Sequence, residues 1–282
     1  EIKSVLTHPY AEILVDQEGG RVARLKPPHW RKYPTAQALS CAADPARAVY
    51  VNARLIAEEL RNVGITMDCA PVADVLAPEC HKIIGDRAFA NDPWVVASLG
   101  QAVIDGMMDS GVLPVVKHIP GHGRARADSH MELPVVDTSR EELERTDFTP
   151  FRALARAPLG MTAHVVYSDI DATAPATTSK KVIDEIVRGF IGFDNLLMTD
   201  DLTMRALKGS LAERVKASIA AGCDMILHCT RNMDEMREIA EATPVLSGKA
   251  RERAERALQA LAAPKPLDVA AVQSRIDTAL SG

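Results

Sequence analysis

The feature that most constrains this chain is a repeated alternation of short apolar or β-branched runs with longer amphipathic stretches. The runs are Ile13-Leu14-Val15, Ile65-Thr66-Met67, Leu113 to Val116, Leu159 to Thr162, Leu196 to Thr199 and Met225-Ile226-Leu227. Alternation of this kind predicts parallel strands joined by crossover helices, because parallel neighbours cannot be linked by a tight hairpin. Between the runs, Val49, Ala53, Ile56, Leu60 and Val63 recur at helical spacing, as do Val96, Leu99, Val103 and Met107 after an Asp92-Pro93 start. Ser139 with Glu142, and Ser210 with Glu213, have the spacing of capping boxes, and Gly222 is placed to end a helix before the last run. A length of 282 residues fits one large α/β barrel better than two small domains. The first run lies close to the N-terminus, where a closed barrel needs one more strand and helix. The expectation is therefore a single-domain, TIM-like (β/α) barrel over 1–282, short of its first strand and helix in this chain. Residues 245–282 read as a helical cover, with Arg251 to Ala262 rich in Ala, Glu and Arg ahead of Pro264-Lys265-Pro266.

Composition narrows the partner. A formal charge of -5 with scattered basic residues argues against a nucleic-acid surface and for a small or neutral ligand. No apolar run approaches the ~18 residues of a membrane span, and the first residues lack a signal-peptide pattern. The 5 cysteines form no CxxC pair and leave an odd one, so neither a disulfide framework nor a zinc knuckle is expected, and a reducing cytoplasm fits.

Every run leads into ionisable residues at its C-terminal end: Asp16; Asp68 and Asp74; Lys117 and His118; His164; Asp200 and Asp201; His228. In a parallel barrel that rim builds the active site. Lys117-His118-Ile119-Pro120-Gly121-His122-Gly123 sets a cation and two imidazoles on a Pro/Gly-constrained loop, a poor composition for packing alone. In Asp128-Ser129-His130 a carboxylate stands two residues from an imidazole, where it can orient the ring and raise its pKa, making a proton donor near neutral pH. Asp200 ends an apolar strand, so its carboxylate should project into the barrel mouth while that of Asp201 is directed elsewhere. A retaining glycosidase needs a nucleophilic carboxylate and a separate proton donor near one bond, and Asp200 with His130 could supply them. Asp74, Asp169 and Asp171 read as loop or helix-cap carboxylates, Trp30 and Trp94 as packing groups, and Cys69 and Cys223 as small core residues.

Together these segments resemble the bacterial β-N-acetylglucosaminidases of glycoside hydrolase family 3, of the cytoplasmic type that acts in cell-wall recycling. The resemblance runs from about Ile13 to His228, through ILVDQEGGRVARL at 13–25, APVADV at 70–75, IGDRAFANDP at 84–93, KHIPGHG at 117–123, DSHMELP at 128–134 and MTDDLTM at 198–204. It implies that Asp16, Arg24, Arg87, Lys117 and His118 bind a terminal N-acetylglucosamine. It likewise implies that Asp128 and His130 form the acid/base dyad and that Asp200 is the nucleophile. The implied reaction removes non-reducing N-acetylglucosamine from anhydro-muropeptides, with no metal or cofactor. Ile119 stands where an aromatic is common. A histidine donor avoids the repulsion a carboxylate would impose on an anionic acceptor, which leaves transfer to phosphate open beside hydrolysis. Two other classes remain: a metal-dependent hydrolase using the rim histidines, and a non-catalytic sugar-binding barrel. The oligomeric state and natural aglycone are left open.

Overall fold

The computed structural model describes residues 12–78, 82–129 and 131–270. Its centre is a parallel sheet of 6 strands in the order β1 (Leu14–Val15), β2 (Met67–Asp68), β3 (Leu113–Ile119), β5 (Leu159–Thr162), β7 (Leu196–Asp201) and β8 (Met225–Leu227). Each strand pairs with the next of these in the chain, so the sheet grows in one direction. It also curls. Leu14 of the first strand and Leu227 of the last pack onto the same interior cluster as Met67, Leu113, Val115, Leu159, Met161, Leu196 and Met198. That convergence, with β1 and β8 unpaired to each other among the described residues, makes a partial TIM-like α/β barrel rather than a flat sheet. Fully burying a Leu or Met of this layer contributes roughly 1.5–3 kcal/mol.

The outer layer follows from the helical periodicity. Helix α1 (Ala36–Ser40) precedes α2 (Pro45–Asn62) and α3 (Pro93–Asp109), and Asp44 and Asp92 cap the last two, each followed by proline at the first helical position. The α2 and α3 backbones approach closely at Gly106, where a Cβ would lie 2.6 Å from the Tyr50 carbonyl oxygen. Two short helices, α4 (Arg140–Arg145) and α5 (Thr149–Ala153), follow β3. Ser139 caps α4, but Glu142 completes no box there, because its carboxylate pairs with Arg124 at 2.9 Å. The box expected at Ser210 and Glu213 forms on α6 (Leu211–Ala221), which Gly222 ends with φ 118°. After α7 (Met233–Ala242), helix α8 (Gly248–Gln259) sends Ala257 into the interior cluster beside the first residues of β3, β5 and β7. Arg253 holds it there, reaching Asp224 at 3.0 Å and Asp194 at 2.5 Å.

Three elements differ from expectation. β2 forms two residues later than the apolar run, and beyond it the chain keeps bonding to β3 past Pro71, which lacks an N–H to continue the ladder: Val115 donates to Ala70 O and Lys117 to Pro71 O. β3 extends to Ile119, wholly buried, because Lys117 and His118 belong to the strand. A second sheet, β4 (Val135–Val136) parallel to β6 (Val166–Tyr167), is too short to leave a period in the sequence. The helix Val182–Phe190, a π-helix with Val182, Ile183, Ile186 and Val187 buried, covers the sheet between β6 and β7. No helix of the described residues is long and apolar enough to cross a membrane.

Candidate active site

A cleft of about 300 Å³ opens at the C-terminal ends of the strands. Its lining includes Asp16, Arg24, Arg87, Lys117, His118 and Asp200, drawn from the segment after β1, from β3 and β7, and from the short helical turn Gly85–Arg87. His130 lies outside the described residues. Asp128 is half-buried next to the cleft, its carbonyl accepting N–H bonds from Met131 (2.9 Å) and Glu132 (3.0 Å) in a tight turn. Three rim residues are placed elsewhere. Asp68 is wholly buried behind β1, His164 is buried with Nδ1 2.7 Å from Thr177 Oγ1, and His228 bonds Glu235 and Thr230.

The turn after β1 is built to aim cations. Gly19 sits at φ 100° with no room for a Cβ, which would meet the Pro34 carbonyl at 2.4 Å. Gln17, 1% exposed, accepts N–H bonds from Arg24 and Leu25 and donates to the Leu25 carbonyl, folding the chain back so that Arg24 reaches Asp16 at 2.9 Å. Asp16 also meets the buried Lys117 ammonium at 3.0 Å. Glu18 completes the cluster, taking Arg87 in a two-pronged pair at 2.8 Å and Lys117 at 2.6 Å. Burial works to raise the Glu18 carboxyl, yet Lys117 and Arg87 outweigh it and hold it down at about 2. Burial likewise works against the Lys117 charge, and Glu18 and Asp16 reverse it, so that ammonium stays charged.

At the end of β3 one carboxylate fixes the ring of His118 and the backbone of His122. Asp74 is wholly buried; its Oδ2 lies 2.7 Å from His118 Nδ1, and its Oδ1 accepts the His122 N–H at 2.6 Å. With Nδ1 donating to Asp74, His118 keeps Nε2 as the nitrogen available to a ligand. The rings of His118 and His122 meet edge to face, 5.7 Å between centroids. Burial, with His118 beside it, lowers His122 to about 4, so it is neutral at ordinary pH.

Asp200 lies on the inward side of β7 with Leu196 and Met198, as the alternation requires. Its Oδ1 accepts the Asp201 N–H at 2.8 Å. Burial would raise this carboxyl, but His118, His164, the Asp201 N–H and Lys117 together keep it below the ordinary carboxylate range. It is therefore ionised, half-buried, and faces the cleft. Asp201, expected to turn elsewhere, also lines the cleft, but its carboxylate is occupied: it takes Thr203 N–H, Thr203 Oγ1 and Cys229 N–H, fastening the β7 loop to β8.

The sequence pointed to neither Glu18 nor Gln17; Asp74 stood in the rim but read as a loop or cap carboxylate, and His122 was marked only as the second imidazole of its loop. Glu18 shares strand parity with Asp16, a period-two signal that could have found it. Asp74 ends an extended segment but belongs to no strand, and its partners arise only from folding. Cys69 and Cys223 are buried in the core, Trp30 packs against it, and Trp94 is exposed on α3. Among the described residues no three His, Cys, Asp or Glu side chains are grouped to hold a metal ion.

Residues 6–260 match the model of the glycosyl hydrolase family 3 N-terminal domain. A β-hexosaminidase of Alkalilimnicola ehrlichii is 43% identical over 232 residues, covering 79% of this chain and 66% of that protein. One from Bordetella avium is 37% identical over 263 residues, 89% of this chain and 73% of the relative. NagZ of Neisseria gonorrhoeae in complex with N-trifluoroacetyl-D-glucosamine superposes with a TM-score of 0.82 at 33% identity, over 96% of this chain and 82% of its own. A family 3 β-N-acetylglucosaminidase of Paenibacillus sp. str. FPU-7 gives 0.79 at 33% identity, over 96% and 51%. The chain spans about two thirds of the length of the curated relatives it matches, 66% and 65% for the first two. With the family model covering most of the chain and the same barrel in these structures, the protein belongs to glycoside hydrolase family 3, of whose N-terminal barrel it forms a part.

Proposed function

We propose that this barrel is the catalytic unit of a retaining exo-β-N-acetylglucosaminidase that releases terminal N-acetylglucosamine from peptidoglycan fragments in the cytoplasm. The unit comprises residues 1–282 as one domain, with 245–282 as its cover. The observation that carries the reading is Asp200: a carboxylate held ionised at the cleft beside His118 and Lys117, with no ion pair at bonding distance among the described residues. The β-hexosaminidase names of the relatives, and the glucosamine derivative bound by gonococcal NagZ, support the sugar.

In this reading Asp16, Arg24, Arg87, Lys117 and His118 take the hydroxyls and acetamido group of the terminal sugar. The Asp200 carboxylate attacks the anomeric carbon as the glycosidic C–O bond breaks, and His130, oriented by Asp128, gives its proton to the departing oxygen. Water then attacks the same carbon, returning a proton to His130 and releasing Asp200, so configuration is retained over two inversions. Hydrolysis of a chromogenic N-acetyl-β-glucosaminide, alongside the matching β-glucoside and in the presence of chelator, tests this. Turnover of the acetamido sugar, lost by at least about 10³-fold in Asp200→Ala, is expected. Equal turnover by that variant contradicts the assignment.

A further inference from the structure

Ser129 stands between Asp128 and His130 in sequence and, unlike half-buried Asp128 and exposed Met131, is buried, with 4% of its surface exposed. Three contacts tie it to two other loops. Its Oγ lies 3.3 Å from His122 Nε2 and 3.7 Å from the Met204 sulfur, and its carbonyl accepts the Ala206 N–H at 3.2 Å. His122 is itself fixed, by its N–H bond to the buried Asp74 and by its ring contact with His118. Met204 and Ala206 belong to the loop that follows Asp200. One small hydroxyl thus joins the segment carrying Asp128 to the β3 loop on one side and to the nucleophile's loop on the other.

The chemistry of the pair fits a latch better than a proton relay. Burial holds His122 neutral, so its ring carries one proton. If Nε2–H donates to Ser129 Oγ and the Ser129 O–H is directed at Met204, each group is used once, and Nδ1 of His122 is left as a buried acceptor with no partner among the described residues, as observed. A chain of this kind ends on a thioether, which cannot take up a proton. Its consequence is positional.

We propose that the His122–Ser129 hydrogen bond is a latch that positions the Asp128/His130 segment against the loop of Asp200, making Ser129 and His122 positioning residues for protonation of the leaving group. This rests on the acid/base assignment proposed above. A residue that positions the proton donor affects only bond cleavage that needs a proton. A residue that merely supports the fold affects all substrates alike.

The test compares kcat/KM, which reports the glycosylation step, for a 2,4-dinitrophenyl and a phenyl N-acetyl-β-glucosaminide. The first leaving group departs with little protonation and the second needs it. Ser129→Ala and His122→Phe approach the bond from opposite sides. Each is expected to lose roughly tenfold or more on the phenyl glycoside, with less than about a threefold change on the dinitrophenyl one, a fraction of the 10²–10⁴ that general acid catalysis provides. Ser129→Thr, which keeps the hydroxyl, should restore the phenyl activity. Equal losses on both substrates, or none on either, overturn the latch. His130→Gln is the control: selectivity there but in neither latch variant defeats the latch alone, whereas no selectivity in His130→Gln defeats the acid/base assignment itself.

Discussion

Two buried carboxylates close to Lys117 are held in opposite states by their partners. Glu18, gripped by Arg87 and Lys117, is ionised down to about 2, whereas Asp68, with the Gln17 N–H on Oδ1 and no partner on Oδ2 among the described residues, is pushed up by burial to about 7. Their effects on stability therefore fall in different windows. Asp68 binds a proton in the folded chain that the unfolded chain has already released, so its contribution is complete below about 4 and is lost as pH rises through 7. Glu18 works the other way, its contribution being lost only as pH falls from about 4.5 towards 2. Asp68→Asn, which imitates the protonated acid, should flatten the decline of melting temperature between pH 5 and 8 by a few degrees, as thermal unfolding at several pH values will show. A decline of the same slope in both proteins would mean that Asp68 is ionised throughout. Glu18→Gln removes the anion between two proposed sugar-binding cations. It should lower kcat/KM for the N-acetylglucosaminide by roughly 10- to 100-fold, mostly through KM, since the lost contacts orient bound sugar. A fall confined to kcat would place Glu18 in the chemical step instead.

At the level of elements, the site depends on how closely the β2 and β3 loops meet. A Cβ on Gly123 would lie 1.8 Å from the Val75 carbonyl oxygen, a backbone atom that cannot rotate away. Gly123→Ala should thus force apart the segments that carry Asp74 and His122, costing about 3 kcal/mol in denaturant unfolding and most of the activity. Wild-type stability in that variant would show that the approach is looser. The chemistry on KHIPGHG was legible, although Lys117 to Ile119 are strand and only Pro120 to Gly123 form the loop, and both helix-stop and capping signals at Gly222 and Ser210 read correctly, because these effects are local. Asp74 was not legible: its role comes from His118 and His122, more than forty residues away in the chain, and no local period marks it. β4 and β6 escaped for a related reason, two-residue strands being defined only by their partner.

For the molecule as a whole, the alternation of apolar runs foretold the strand order, since each crossover returns beside the strand before it, and inward parity foretold which side Asp200 faces. The rim rule was too inclusive. It gathered Asp68, His164 and His228 with the true cleft residues, because a strand's end places a side chain at the rim without saying whether it turns inward. The curl of the sheet decides that, bringing Asp16 of the first strand and Asp200 of β7 into one cleft with Lys117 between their loops. Everything proposed for this site turns on Asp200 attacking the sugar. Incubation with a fluorinated N-acetylglucosaminide that slows release of the glycosyl group, followed by peptide mass spectrometry, tests it directly. One added glycosyl unit is expected on the peptide spanning Met198 to Met204, located at Asp200 and absent in Asp200→Ala. Turnover without any adduct, or an adduct on another residue, would contradict it.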